Sequence, residues 1–108
     1  MAETGTAKLR IPRMAKGASA QAQTIIVHPN DSGFAKDETG AIPPAYFIES
    51  LTVEFEGEVV YQMKLGPSLS KDPYVEFSLA VDKPGRLRLT WRDNKGAVFT
   101  REQAVEPV

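Results

Sequence analysis

Cysteine is absent from all 108 residues. That removes a disulfide framework, a thiolate metal site and a cysteine nucleophile from this chain at once. It leaves the compartment open, since cysteine-free domains occur in the cytoplasm and the periplasm alike. Histidine is almost absent too, with His28 the single one. A zinc or copper site needs at least three ligands, usually nitrogen or sulfur, so only an oxygen-rich metal site remains. The acid-bearing stretch that follows, "DSGFAKDETG", lacks the alternating acids and closing glutamate of a calcium loop. Charge of one sign is missing as well: 13 Lys and Arg stand against 14 Asp and Glu, a formal net charge of -1. Nucleic-acid binding draws on a counterion-releasing basic patch, and the nearest thing, Lys8, Arg10, Arg13 and Lys16, is sparse and interrupted. No apolar run approaches the roughly 20 residues that span a bilayer. The start, "MAETGTAKLRIPRMAKGASA", has no apolar core of a Sec-type signal. Taken alone, these absences predict a soluble chain, cytoplasmic unless a partner carries it elsewhere.

What is present is ordinary in amount and regular in order. Hydrophobic residues make up 42% and charged residues 25% of the chain, enough for one domain over residues 1–108 with a core that needs no staples. Residues 1–6 are expected to be a flexible N-terminus. The dominant period is two. Leu51, Val53 and Phe55 alternate with Thr52 and Glu54, and Val59, Tyr61, Met63 and Leu65 alternate with Val60, Gln62 and Lys64. Val75 to Val81 and Leu87 to Trp91 alternate in the same way. Each run predicts a strand with one apolar face turned inward. Glu56-Gly57 reads as a two-residue hairpin loop, Pro84-Gly85 as the centre of a type II turn, and "RDNKG" as the closure of the last hairpin. No window longer than a turn has a 3.6-residue period. The prediction is about seven strands, at 7–13, 19–28, 46–55, 58–65, 73–81, 86–92 and 97–105, forming an all-β, immunoglobulin-like antiparallel sandwich. Trp91 would then pack against aliphatic residues, in place of the disulfide of antibody domains.

Residues 29–45, "PNDSGFAKDETGAIPPA", form a connection far longer than the usual about 4–6 residues. Proline and glycine keep it from being strand or helix, yet it carries Phe34 and Ile42. Just before it, His28 lies in phase with Ala22, Thr24 and Ile26, which points it at the core rim. The plain expectation is a histidine bonding backbone where strand becomes loop; a small enzyme centred on it, with Asp31, Asp37 and Glu38 nearby, is the weaker alternative. Ser32, four residues on, has no strand-to-helix elbow around it and reads as a turn former. Glu54, Glu56 and Glu58 sit at a hairpin tip, open to water. No glycine-rich phosphate loop occurs. No catalytic residue, cofactor site or metal site is expected. What stands out is surplus apolar surface: Ile25 and Val27 fall on the face opposite Ala22, Thr24 and Ile26, and Val60 does the same beside Tyr61. With Phe34, Ile42 and Tyr46 they are the expected partner interface. The outer face could equally be covered by the long loop folding back. A free-standing module binding sugar or peptide through Tyr46, Tyr61 or Tyr74 is the competing reading.

In order, the "IPR" strand, "HP" followed by "SG", "KDETGAIPPAYFI", "EGEVVYQ", "LSKDPYVEF", "PGRLRLTW" and "DNKGAVFTR" resemble the SoxZ family across roughly residues 7 to 105. The resemblance implies an immunoglobulin-like, non-catalytic subunit of a heterodimeric sulfur carrier in thiosulfate oxidation. Its partner, a SoxY-like chain, would hold sulfur intermediates covalently on a glycine-flanked cysteine near its C-terminus. It also implies transient contacts with other sulfur-oxidation enzymes, and a periplasmic location reached by export together with a signal-bearing partner. Two positions depart from the family pattern: Asn30, where methionine is common, and Glu56, where asparagine is.

Overall fold

The alternating runs become seven strands: β1 (Ala7–Arg10), β2 (Ser19–Ile26), β3 (Ile48–Phe55), β4 (Glu58–Lys64), β5 (Tyr74–Ala80), β6 (Gly85–Asp93) and β7 (Val98–Val105). They come from a computed structural model that describes residues 4–13, 15–29, 31, 33–34, 36, 38–66 and 72–107. Every strand falls within a residue or three of its expected bounds, and among the described residues there is no helix. All pairings are antiparallel. β1, β2 and β5 make one sheet; β4, β3, β6 and β7, in that order, make the other. This is the expected immunoglobulin-like sandwich, with β4 joined to β3 rather than to the smaller sheet. Ala22 and Ile26 of β2 and Val75, Phe77 and Leu79 of β5 face Leu51, Val53, Leu87, Leu89 and Trp91 across the interior. Side chains of this kind stabilise by about 1.5–3 kcal/mol each when fully buried. Trp91 is buried among them, with Leu51 beside it on β3 and Phe99 on β7.

Neither phase of the β7 sequence is cleanly apolar, and the structure gives the reason. It is an edge strand, and its inward positions Phe99, Arg101, Gln103 and Val105 become fully buried only at Val105. An edge position leaves the outer rim of that face open to water, where Arg101 is tolerated. At the other end of the chain, Gly5 donates to the Val27 carbonyl at 2.7 Å and Val27 donates to that of Thr6 at 2.8 Å, prolonging the β1–β2 ladder.

Two local expectations are corrected. The Glu56-Gly57 loop forms as predicted, both residues having positive φ, 50° and 84°, as a type I′ hairpin turn requires. Behind it the register slips: Val53 pairs with Tyr61 but Glu54 pairs with Val59, so Val60 is an extra, bulged residue. A bulge reverses the facing of whatever precedes it. Val59, expected inside with Tyr61 and Met63, therefore lies outside with Glu54 and is exposed. The second correction concerns Gly85. It does not take the positive φ of a type II turn; it opens β6 opposite Val105. Glycine is needed there for space, because a Cβ would stand 2.8 Å from Glu56 Cγ and still closer to the Phe55 ring. Gly85→Ala should cost about 1–3 kcal/mol, the usual penalty for overpacking, read as a lower urea midpoint with an unchanged denaturant slope.

Candidate functional site

β2 carries its inward phase one step beyond its last paired residue, and that step is His28. The ring goes deeper than the expected rim position: it is fully buried. Nδ1 meets the Pro29 carbonyl, as the plain reading anticipated, and Nε2 lies 3.1 Å from Oδ2 of Asp93. The backbone is tied as well. The His28 N–H donates to Asp72 Oδ1 at 3.0 Å, and the Asp72 N–H donates to the His28 carbonyl at 2.9 Å. Tyr46 packs its ring on the imidazole at 4.4 Å between centroids, and Phe99 approaches edge-on at 6.0 Å.

Asp93 ends β6 in phase with Leu87, Leu89 and Trp91, so it too points inward. Its Oδ1 accepts from the N–H groups of Lys95 at 3.0 Å and Ala97 at 2.9 Å, closing the last hairpin. Burial pushes the carboxyl up. The hydrogen bond from His28, those from Ala97 and Lys95, and the charge of His28 together outweigh that, and hold it below the ordinary carboxylate range. Next in the turn, Asn94 accepts from the Phe47 N–H at 2.9 Å and donates from Nδ2 to the Ala45 carbonyl at 2.8 Å. Lys95 sets its ammonium 4.1 Å from the centre of the Tyr46 ring, a cation–π contact. Three consecutive residues of one turn thus grip the end of β2 and the approach to β3.

That arrangement fastens; it offers nothing to a substrate. His28 and Asp93 have no exposed side-chain surface, and general-base chemistry needs a reachable proton. Asp31 pairs through its backbone with Tyr46, 2.9 Å in each direction, and Glu38 is exposed; neither joins the ring. Asn30, Ser32 and Asp37 lie outside the described residues. Among the described residues no group of three or more His, Cys, Asp or Glu is placed to hold a metal ion, and no helix is long and apolar enough to cross a membrane.

The six expected interface residues divide. Ile25 is on the outer face of the three-stranded sheet at 37% exposure, in register with Lys8 and Tyr74, and Val27 beyond it is half-buried. Phe34 is 87% exposed and Ile42 52%. All four belong to the end of the sandwich where His28 lies, because β2 finishes and β3 begins there. Tyr46 is at the same end, half-buried between His28 and Lys95. Val60 is half-exposed but sits at the opposite end, on the other sheet. From Tyr46 to Glu54, beside Val60, is eight residues of near-extended chain, roughly 25 Å at about 3.3 Å per residue. Of the tyrosines proposed as stacking platforms, Tyr61 is stacked on Phe77 at 5.7 Å and Tyr46 is engaged as described; Tyr74 is exposed, with its hydroxyl donating to Glu76 at 2.6 Å. Beside Tyr74 and Ile25 lies a shallow depression of about 320 Å³, rimmed by Lys8, Arg10 and Gln23. Sequence reasoning missed Asp93, Asn94 and Lys95. The available signal was phase: Asp93 continues the inward series of Trp91, and an inward acid needs a buried donor.

The sequence matches the family described as sulphur oxidation protein SoxZ over residues 9–104. The chain belongs to the SoxZ family. It is thereby a sulfur-oxidation protein. No curated protein matches the sequence. Among solved structures, superoxide reductase (neelaredoxin) from Ignicoccus hospitalis superposes with a TM-score of 0.75 at 18% identity, covering 97% of this chain and 82% of that one. A superoxide reductase in the oxidized state gives 0.68 at 17%, over 97% and 90%. The fibronectin(III)-like modules of CbhA from Clostridium thermocellum give 0.55 at 16%, over 94% and 96%. Likeness at such identities is a likeness of fold alone, the sandwich described above.

Proposed function

We propose that this SoxZ-family chain is the non-catalytic half of a heterodimeric sulfur carrier in thiosulfate oxidation. Its partner is a SoxY-like subunit whose C-terminal, glycine-flanked cysteine holds the sulfur covalently. The observation that carries the reading is the family match over nearly the whole chain. Three features of the chain support it. It has no cysteine on which to hold sulfur itself, and its one buried histidine is closed to substrate. It also displays Ile25, Phe34 and Ile42 at one end of the sandwich. A partner laid there would cover side chains that water otherwise meets, and a stable pair of this kind buries at least about 1,200 Å² with an apolar centre and polar rim. The chain's part is then mechanical: it supports the partner and leaves the cysteine arm free to reach other sulfur-oxidation enzymes. The pair works in the periplasm, exported on the partner's signal.

Purification from the native host, followed by intact-mass analysis, tests the reading. The expected result is co-elution with a second chain that bears a C-terminal cysteine and carries sulfur-containing mass increments. Elution of this chain alone and monodisperse would end it. For the surface, the double variant Ile25→Asp, Val27→Asp should keep the circular dichroism of a folded sandwich and lose the heterodimer on size exclusion. A retained heterodimer moves the interface elsewhere.

A further inference from the structure

The two sheets have four edge strands, β1 and β5 in one, β4 and β7 in the other. Three of them are blunted. β4 is bulged at Val60 and ends on Lys64. β7 turns Arg101 toward the interior rim. β1 is four residues long, carries Lys8 and Arg10, and runs on toward Pro12. Short length, bulges, charges and proline are the means by which sheets keep their edges from pairing with another chain. β5 has none of these except one acid. Its seven residues run in unbroken register with β2, from Ile25 against Tyr74 to Ser19 against Ala80, and include no proline, lysine or arginine.

The open side of β5 offers main chain rather than apolar side chain. Val75, Phe77 and Leu79 are already buried, and Tyr61 of β4 stacks on Phe77 from the facing sheet. The Ile26 N–H donates to the Pro73 carbonyl. Antiparallel residues send both main-chain groups to the same side and alternate along the strand. Val75, Phe77 and Leu79 therefore turn theirs to β2, while Tyr74, Glu76, Ser78 and Ala80 turn theirs to the edge, where among the described residues no strand pairs with them. Only another extended strand satisfies such a row.

We propose that the occupant is β5 of a second copy of this chain, paired antiparallel about a two-fold axis at Phe77. In that register Glu76 lies opposite Ser78 of the second copy, and Tyr74, large, opposite Ala80, small; inside, Val75 meets Leu79 and Phe77 meets itself. All seven residues pair, through about eight main-chain hydrogen bonds. The alternatives are worse. A shift of one residue sets inward side chains against outward ones. A shift of two in one direction sets Glu76 directly against Glu76 of the second copy, a like-charge pair; in the other direction it drops Tyr74 and Val75 from the ladder. The contact is isologous and closes on itself, so it ends at a dimer. It uses the edge of β5 and not the outer face that bears Ile25, so it stands apart from the carrier reading; in the carrier it links two pairs.

Sedimentation equilibrium of the full-length chain alone, from about 10 μM to about 1 mM, tests this, since a joint smaller than a standard interface is weak. The wild type should pass from monomer to dimer with no larger species. Ser78→Lys sets an ammonium against Glu76 of the second copy and should tighten the dimer about tenfold, the contact occurring twice by symmetry. Ser78→Glu sets a carboxylate there and should loosen it by about the same factor. Ser78 is exposed and donates only to Gln21 at 3.4 Å, so both variants should keep the circular dichroism of the wild type. A chain that stays monomeric across the range overturns the proposal, and so does a dimer that the two substitutions move in the same direction or not at all. A wild type that is monomeric alone, and whose Ser78→Pro variant no longer forms the heterodimer, gives the edge to the other subunit and overturns it too.

Discussion

Asp93→Ala is expected to cost about 3 kcal/mol or more, because it leaves several buried donors without an acceptor at about 1–3 kcal/mol each. The substitution strands His28 in a fully buried position with nothing at Nε2. It also deprives the N–H groups of Lys95 and Ala97 of their acceptor. A domain of this size has about 5–15 kcal/mol of stability in all, so the variant should unfold at a far lower urea concentration than the wild type. A companion variant isolates the charge. The native carboxyl of Asp93 is held below its ordinary value, so the unfolded chain binds a proton at Asp93 more readily than the folded one. The stabilisation it contributes is fully present above the unfolded carboxylate value, about 3.9. It is lost as pH falls through the lower, folded value. Urea midpoints measured from pH 7 down to about pH 2 should fall less steeply below about pH 4 in Asp93→Asn than in the wild type. Parallel wild-type and variant curves across that window would show that the pairing adds nothing.

The second large effect is expected at Trp91. Trp91→Ala empties a site walled by Leu51 and Phe99 in the middle of the four-stranded sheet. Substitutions of this type cost about 3–5 kcal/mol through lost transfer energy plus the cavity left behind. At about 4–8 °C per kcal/mol for a domain near this length, the melting temperature should drop by well over about 10 °C. Circular dichroism is the appropriate probe, since Trp91 is the only tryptophan and its fluorescence goes with it. The measurement belongs on the chain alone, because a bound partner raises apparent stability by mass action. A melting temperature within a degree or two of the wild type would mean that the tryptophan is not the centre of the core.

These two residues differ in how openly the sequence announces them. Trp91 sits in the run Leu87, Leu89, Trp91, where alternation alone assigns the inward face. Asp93 extends the same run by one step, but an acid in that phase has no meaning until its partner is known, and the partner is 65 residues away. His28 was legible as an inward residue at a strand end, and as one that bonds backbone there. Its depth was not legible, since burial depends on the last turn and Tyr46 folding over it. Asn94 is more hidden still, because its grip on Ala45 and Phe47 joins segments that no local pattern relates.

The candidate surface follows the same division. Ile25 stands outside because it is one residue out of phase with Ile26, and period two makes that assignment within a single strand. Val60 shares the apolar excess by composition but is separated from Ile25 by the length of the sandwich and by which sheet its strand joins. Val59 was misassigned because alternation holds only while a ladder stays in register, and the bulge at Val60 breaks it.

The sequence by itself determined the all-β class, the seven strands nearly to the residue, the inward side chains of each regular run and the absence of any cysteine chemistry. These are local properties, set by side-chain alternation, turn residues and composition. Only the tertiary structure decided which strands pair beyond the two hairpins, where the register slips, which end of the sandwich gathers the exposed apolar residues, and that His28 meets Asp93. The slip is local, but alternation gives no sign of it; the others join distant parts of the chain, by packing and hydrogen-bond geometry that no single stretch contains.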